Sequence, residues 1–137
     1  MRLFSFAALV LAALSLASAD AANDPFDRKP WVRNTIHFDP DTVTLGVVAR
    51  EIINDLAADA VRAEVKKVIL VGHCDTADKA PTLLSRYRAK AVADIFREKG
   101  LPATIAIEYS GVGSSQPKVK TGPNVREPYN RRVTIAF

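Results

Sequence analysis

Lys67-Val68-Ile69-Leu70-Val71-Gly72 is the stretch on which the fold turns. Four apolar residues, mostly β-branched, stand between a lysine and a glycine. The run is too short for a buried helix, so it predicts a strand buried on both faces. Moving outward, residues 75–81 read as a loop ending at Pro81. A strong helix is expected from about Thr82 to Lys99, with Gly100 as its C-terminal stop. Thr104 to Tyr109 reads as another strand. Residues 110–129 form a long loop holding Gly111, Gly113, Gly122 and three prolines, and Arg132 to Phe137 reads as the last strand.

On the N-terminal side, Thr35 to Phe38 is a short β-like run closed by the turn Asp39-Pro40-Asp41. Leu45, Val48, Ile52, Ile53 and Leu56 recur at helical spacing, which predicts a helix with Thr44 as N-cap, running to Ala60 or Arg62. The order β-α-β-α-β-β predicts an α/β (α+β) two-layer sandwich. Both helices lie on one face of a small mixed sheet.

The first nineteen residues do not belong to this pattern. Arg2, the apolar run Phe4 to Leu16 and the small-x-small ending Ala17-Ser18-Ala19 read as a secretory signal peptide cleaved before Asp20. The run is short for a membrane anchor, which takes about 20 apolar residues, and no Cys follows it to accept a lipid. Residues 20–33, with Pro25 and Pro30, read as a flexible lead-in. The domain is expected over residues 34–137, with no transmembrane segment in the mature chain. At 48% hydrophobic and 25% charged, the 137 residues exclude a disordered or low-complexity chain. The single Cys excludes a disulfide framework. A formal net charge of +4 falls short of the dense basic patch that nucleic-acid binding needs, so no nucleic acid is expected as partner.

One residue of the second helix breaks its pattern. Leu84, Ala91, Val92 and Ile95 define a core-facing stripe, and Arg88 falls inside it. An unpaired guanidinium in an apolar stripe is very costly. Either Arg88 snorkels or pairs for structural reasons, or it lines a pocket near the helix start. Asp75 ends the preceding strand, where ligands sit in α/β folds, so the two are expected in one cleft.

Gly72-His73-Cys74-Asp75, Leu84-Ser85-Arg86-Tyr87-Arg88-Ala89, Gly111-Val112-Gly113 with Gln116-Pro117, and Asn130-Arg131-Arg132-Val133 follow in order. Together they resemble the OmpA-like peptidoglycan-binding domain, whose pattern runs GHTD, LSxxRA, GxGxxxP, NRRV. The resemblance implies non-covalent binding of the diaminopimelate group of peptidoglycan stem peptides. Asp75 would meet the ligand ammonium and Arg88 its carboxylate, with Arg131 at the edge of the site and Asp41 where the family has a ligand-contacting Asn. A zwitterion needs one fixed anion and one fixed cation, and a guanidinium holds a carboxylate bidentately. The chain departs from the family pattern at Cys74 in place of Thr, at Asp78 in place of Gly, at Pro81 in place of Asn, and in a loop two residues shorter.

The resemblance therefore implies a non-enzymatic, periplasmic peptidoglycan-binding protein of a Gram-negative cell envelope, associated with the outer membrane or the wall, with envelope proteins as further partners. The alternative is a domain of the same fold that serves as a protein-interaction module without wall binding. No cofactor or metal is expected. His73 and Cys74 alternate faces of a strand and should not form a nucleophile–base pair. His37-x-Asp39 and His73-x-Asp75 would face each other as four ligands only if their strands were neighbours. Cys74 is expected buried, and Arg132 solvated on the face opposite Arg131.

Overall fold

The computed structural model describes residues 32–137. The expected signal peptide and nearly all of the lead-in lie outside the described residues. Four strands and two helices follow in the order β1 (Val32–His37), α1 (Val47–Arg62), β2 (Lys67–Gly72), α2 (Pro81–Glu98), β3 (Ala106–Gly111) and β4 (Arg132–Ala136), with a 3-10 turn at Pro128–Asn130 before β4. The strands form one sheet in the order β1-β4-β2-β3. β4 runs antiparallel to both β1 and β2, whereas β2 and β3 are parallel, joined across α2. The sheet is mixed and the fold α+β, as expected.

Val68 and Leu70 point into the core and are fully buried, together with Val133 and Ile135 of β4. Ile53, Leu56, Ala57 and Ala60 of α1 and Ala89, Val92, Ile95 and Phe96 of α2 close over them. Ile69 and Val71 are only half buried. The expectation of a strand buried on both faces is thus corrected: with both helices on one side, the other face is left partly to solvent, as mixed and antiparallel sheets tolerate.

The helix ends also differ from expectation. α1 begins at Val47 with Gly46 as N-cap and no side-chain cap, so Thr44 does not cap it, and Val48 is exposed. On α2 the buried stripe is Ser85, Arg88, Ala89, Val92, Ala93, Ile95 and Phe96, with Leu84 and Ala91 at its margins. Gly100, at φ 94°, ends α2 as expected, in the left-handed conformation that glycine takes without strain.

α2 starts unusually close to the sheet. A Cβ on Gly72 would lie 1.8 Å from the Ser85 carbonyl oxygen, and one on Gly111 would lie 2.3 Å from the Arg86 nitrogen. The two glycines end the parallel neighbours β2 and β3 in register, so the first turns of α2 rest directly on backbone there. Ser85 fastens this contact, its hydroxyl accepting from Gly113 N at 2.9 Å and donating to Thr82 O at 2.9 Å.

Candidate functional site

The topology gathers one edge of the sheet. β1 and β2 end there, β4 begins there, and α2 starts just above it; His37 registers with Arg132, and Gly72 with both Val133 and Gly111. The segments just beyond the strand ends carry Asp39, Asp41, Asp75, Asp78 and Arg131, and α2 supplies Arg88 from its third turn.

Asp75 is fully buried. Its Oδ1 accepts from Ala77 N at 3.1 Å and Asp78 N at 2.7 Å, an Asx turn that curls the chain back on itself. Its Oδ2 accepts from Glu127 N at 3.1 Å and from Arg131 Nη1 at 2.8 Å. The curl returns the Asp78 carboxylate to Asp75 N, which donates to Oδ2 at 3.1 Å, while Oδ1 accepts from Asp41 N at 2.9 Å.

Arg88 is wholly buried, as its place in the stripe implied, and it is fully paired. Nε donates to Thr42 O at 2.9 Å. Nη1 donates to His73 O at 3.1 Å and Asp78 Oδ2 at 2.8 Å, and Nη2 to Asp39 O at 3.1 Å and Asp78 Oδ1 at 3.3 Å. The Phe38 ring lies 5.3 Å from the guanidinium carbon. The Arg88 fork therefore holds a carboxylate bidentately, and that carboxylate is Asp78 of the same chain. Asp75 and Arg88 share one cluster, but Asp78 stands between them. Burial alone would push the Asp78 carboxyl up; the hydrogen bonds from Arg88 and from the Asp41 backbone overcome it and hold the carboxyl below its ordinary value.

Asp41 sits in the left-handed region at φ 55°. Its Oδ1 accepts from Lys79 N at 2.8 Å and its Oδ2 from Arg126 Nη2 at 2.7 Å. Those two bonds, the backbone one first, lower its carboxyl. Arg126, which the sequence reading did not place in the site, reaches over the cluster: Nη1 also lies 3.2 Å from Asp78 Oδ1 and 3.5 Å from Asp75 Oδ1. Arg131 is nearly buried, and besides Asp75 its Nε donates to Phe38 O at 2.9 Å. All four expected residues, Asp41, Asp75, Arg88 and Arg131, thus belong to one hydrogen-bonded assembly, joined by Asp78 and Arg126. A groove of about 340 Å³ opens beside Arg131, lined also by His37, Phe38, Asp39, Pro128 and Tyr129.

The remaining candidates fall away for physical reasons. Cys74 is buried beside Arg88 and Pro81 rather than in the apolar core, and burial pushes its thiol up to about 12, so no thiolate nucleophile forms there near neutrality. His73 is buried; desolvation first, then the Arg132 charge, lowers it to about 4. β4 lies between β1 and β2, so the two His-x-Asp runs are not on neighbouring strands. Among the described residues no cluster of His, Cys, Asp or Glu is arranged for a metal ion. Arg132 is 8% exposed, correcting the expectation of a solvated side chain; its Nη2 donates to Gln116 O at 3.2 Å.

Residues 37–131 match the sequence model of the OmpA family, most of the described chain. The chain belongs to the OmpA family. It is 37% identical over 109 residues to an outer membrane protein of Gluconacetobacter diazotrophicus, covering 73% of this chain and 28% of that one. It is 36% identical over 89 residues to the outer-membrane lipoprotein YfiB of Pseudomonas aeruginosa, covering 64% and 52%. The chain thus spans about half or less of these relatives. Among solved structures it shares its fold with the peptidoglycan-associated lipoprotein of Burkholderia pseudomallei (TM-score 0.67, 17% identity, 76% of this chain and 89% of that one). It shares it also with the cell wall anchor of the T6SS from Pseudomonas aeruginosa (TM-score 0.58, 24% identity, 74% and 76%). No helix among the described residues is long and apolar enough to cross a membrane.

Proposed function

We propose that this OmpA-family chain binds peptidoglycan non-covalently in the periplasm, through the diaminopimelate group of the stem peptide. The observation that carries this reading is the assembly of buried Asp75, Arg88 and Arg131 with the more exposed Asp41 at one sheet edge, at the positions where the family resemblance puts the ligand's charges. The groove beside Arg131 offers room for the rest of a stem peptide. The leader at residues 1–19 and the likeness to outer-membrane proteins support an envelope location. N-terminal sequencing of the periplasmic form is expected to start at Asp20, and an intact Met1 in the membrane fraction would overturn that part of the reading.

Co-sedimentation with purified diaminopimelate-type sacculi, in both free-acid and amidated forms, tests the function. Wild-type protein should pellet with the wall, and Asp75→Asn should lose most of that retention, since a desolvated charge contact of this kind is worth a few kcal/mol. A second reading has its own observation. The fork of Arg88 is already occupied by Asp78, which favours a protein-interaction module without wall binding. Wild-type protein left wholly in the supernatant at moderate salt supports that module instead.

A further inference from the structure

Asp78 and Arg126 together do to this cluster what a bound zwitterion would do. Asp78 places a carboxylate on Arg88, and Arg126 places a cation over Asp75 and Asp41. The two differ in how firmly they are held. The Asp78 side chain is 0% exposed and accepts from two backbone N–H groups as well as from Arg88. The Arg126 side chain is 42% exposed, on a loop more than a dozen residues beyond β3, and can swing into water with its charge solvated. When it does, three carboxylates (Asp41, Asp75, Asp78) face only two buried guanidiniums (Arg88, Arg131). One negative charge is then left over, which a single ammonium balances and a net-neutral zwitterion does not.

Resting on the wall-binding reading, we propose that Asp78 is the specificity-determining residue of this site. A ligand amine takes the place of the Arg126 guanidinium, and an amine carrying a free carboxylate beside it is rejected, because Asp78 already fills the fork that would receive that carboxylate. The class accepted is a monocationic amine whose neighbouring carboxyl is uncharged, as in a stem peptide with an amidated diaminopimelate side-chain carboxyl. A second carboxylate brought against Asp78 would meet like charge in a desolvated setting, where repulsion is strong.

The test titrates the protein with two synthetic stem tripeptides that differ only in this carboxyl, free acid or carboxamide. Wild type should prefer the carboxamide by about tenfold or more. Arg126→Ala, which leaves the buried pairs intact, should tighten carboxamide binding by removing the internal competitor. Asp78→Gly should move the preference to the free acid, with the free acid also raising the melting temperature of that variant. If Asp78→Gly does not fold, Asp78→Asn keeps the volume, drops the charge, and should shift the ratio in the same direction. Wild type binding the free acid as tightly as the carboxamide would overturn the proposal and leave the wall-binding reading standing. So would a preference unchanged in a folded Asp78 variant. Neither tripeptide binding to wild type or to any folded variant would overturn both.

Discussion

Arg88 shows how a charge lives in an apolar stripe: every guanidinium N–H has an acceptor, and Asp78 supplies the counter-charge with both oxygens. Removing one member of such a buried pair leaves the other uncompensated, at a cost of roughly 3–5 kcal/mol. Arg88→Ala should therefore lower unfolding stability by about that amount in urea titration; a loss well under 1 kcal/mol would mean the pair is not buried as described. His73 gives a pH signature. The folded residue stays neutral down to about 4, because it is desolvated and near Arg132, while an unfolded histidine takes up a proton near 6.5. Between those values the unfolded chain binds more protons. Stability is fully present above pH 6.5 and falls as pH drops toward 4, by roughly 3 kcal/mol from this residue. His73→Gln should flatten most of that slope, leaving the smaller share of His37, which burial and then Lys118 lower in the same direction. An unchanged slope would contradict the assignment. At this scale the sequence told that Arg88 was anomalous but not which aspartate would hold it. Asp75 and Asp78 are both near, and the Asx turn at Asp75, a local backbone event, brings Asp78 back into the fork. Arg126 lay beyond any periodic signal, 51 positions from Asp75 in a loop of prolines and glycines.

Among the elements, β2 and α2 were legible because their patterns are strong and their ends are marked by Gly72, Pro81 and Gly100. The start of α1 was not, because Thr44 fits a capping position by type while the chain begins its helix at Val47 after Gly46. Nor was the open face of β2, since an apolar run looks the same whether one or two layers cover it. Two backbone details at α2 make predictions. Ala80, its N-cap, sits at φ 46°, a left-handed conformation that costs an alanine about 1 kcal/mol. Ala80→Gly should raise the melting temperature slightly, by the equivalent of roughly 0.5–1 kcal/mol, and a drop would show that the strain is not there. Gly72→Ala should go the other way. Its Cβ would strike the Ser85 carbonyl, which is backbone and cannot swing aside. Displacing α2 should cost about 2 kcal/mol or more in denaturant titration, and a near-neutral result would mean the helix does not rest on the strand end.

At the scale of the whole domain, the mixed sheet matters because it brings four stretches of chain to one edge: Asp41 after β1, Asp75 and Asp78 after β2, Arg88 on α2, and Arg126 and Arg131 in the long connection before β4. The protein supplies its own anion to Arg88, from Asp78, and its own cations to Asp75, from Arg131 and the partly exposed Arg126. Chemical-shift mapping with soluble muropeptides carrying an amidated diaminopimelate carboxyl tests the central claim most directly. Binding should move the Arg126 side-chain resonances and the backbone amides that donate to the site carboxylates, those of Asp41, Asp75, Ala77, Asp78, Lys79 and Glu127. No shift at those amides, or shifts confined to the exposed apolar residues Val47, Val48 and Val61 of α1, would contradict wall binding through this edge.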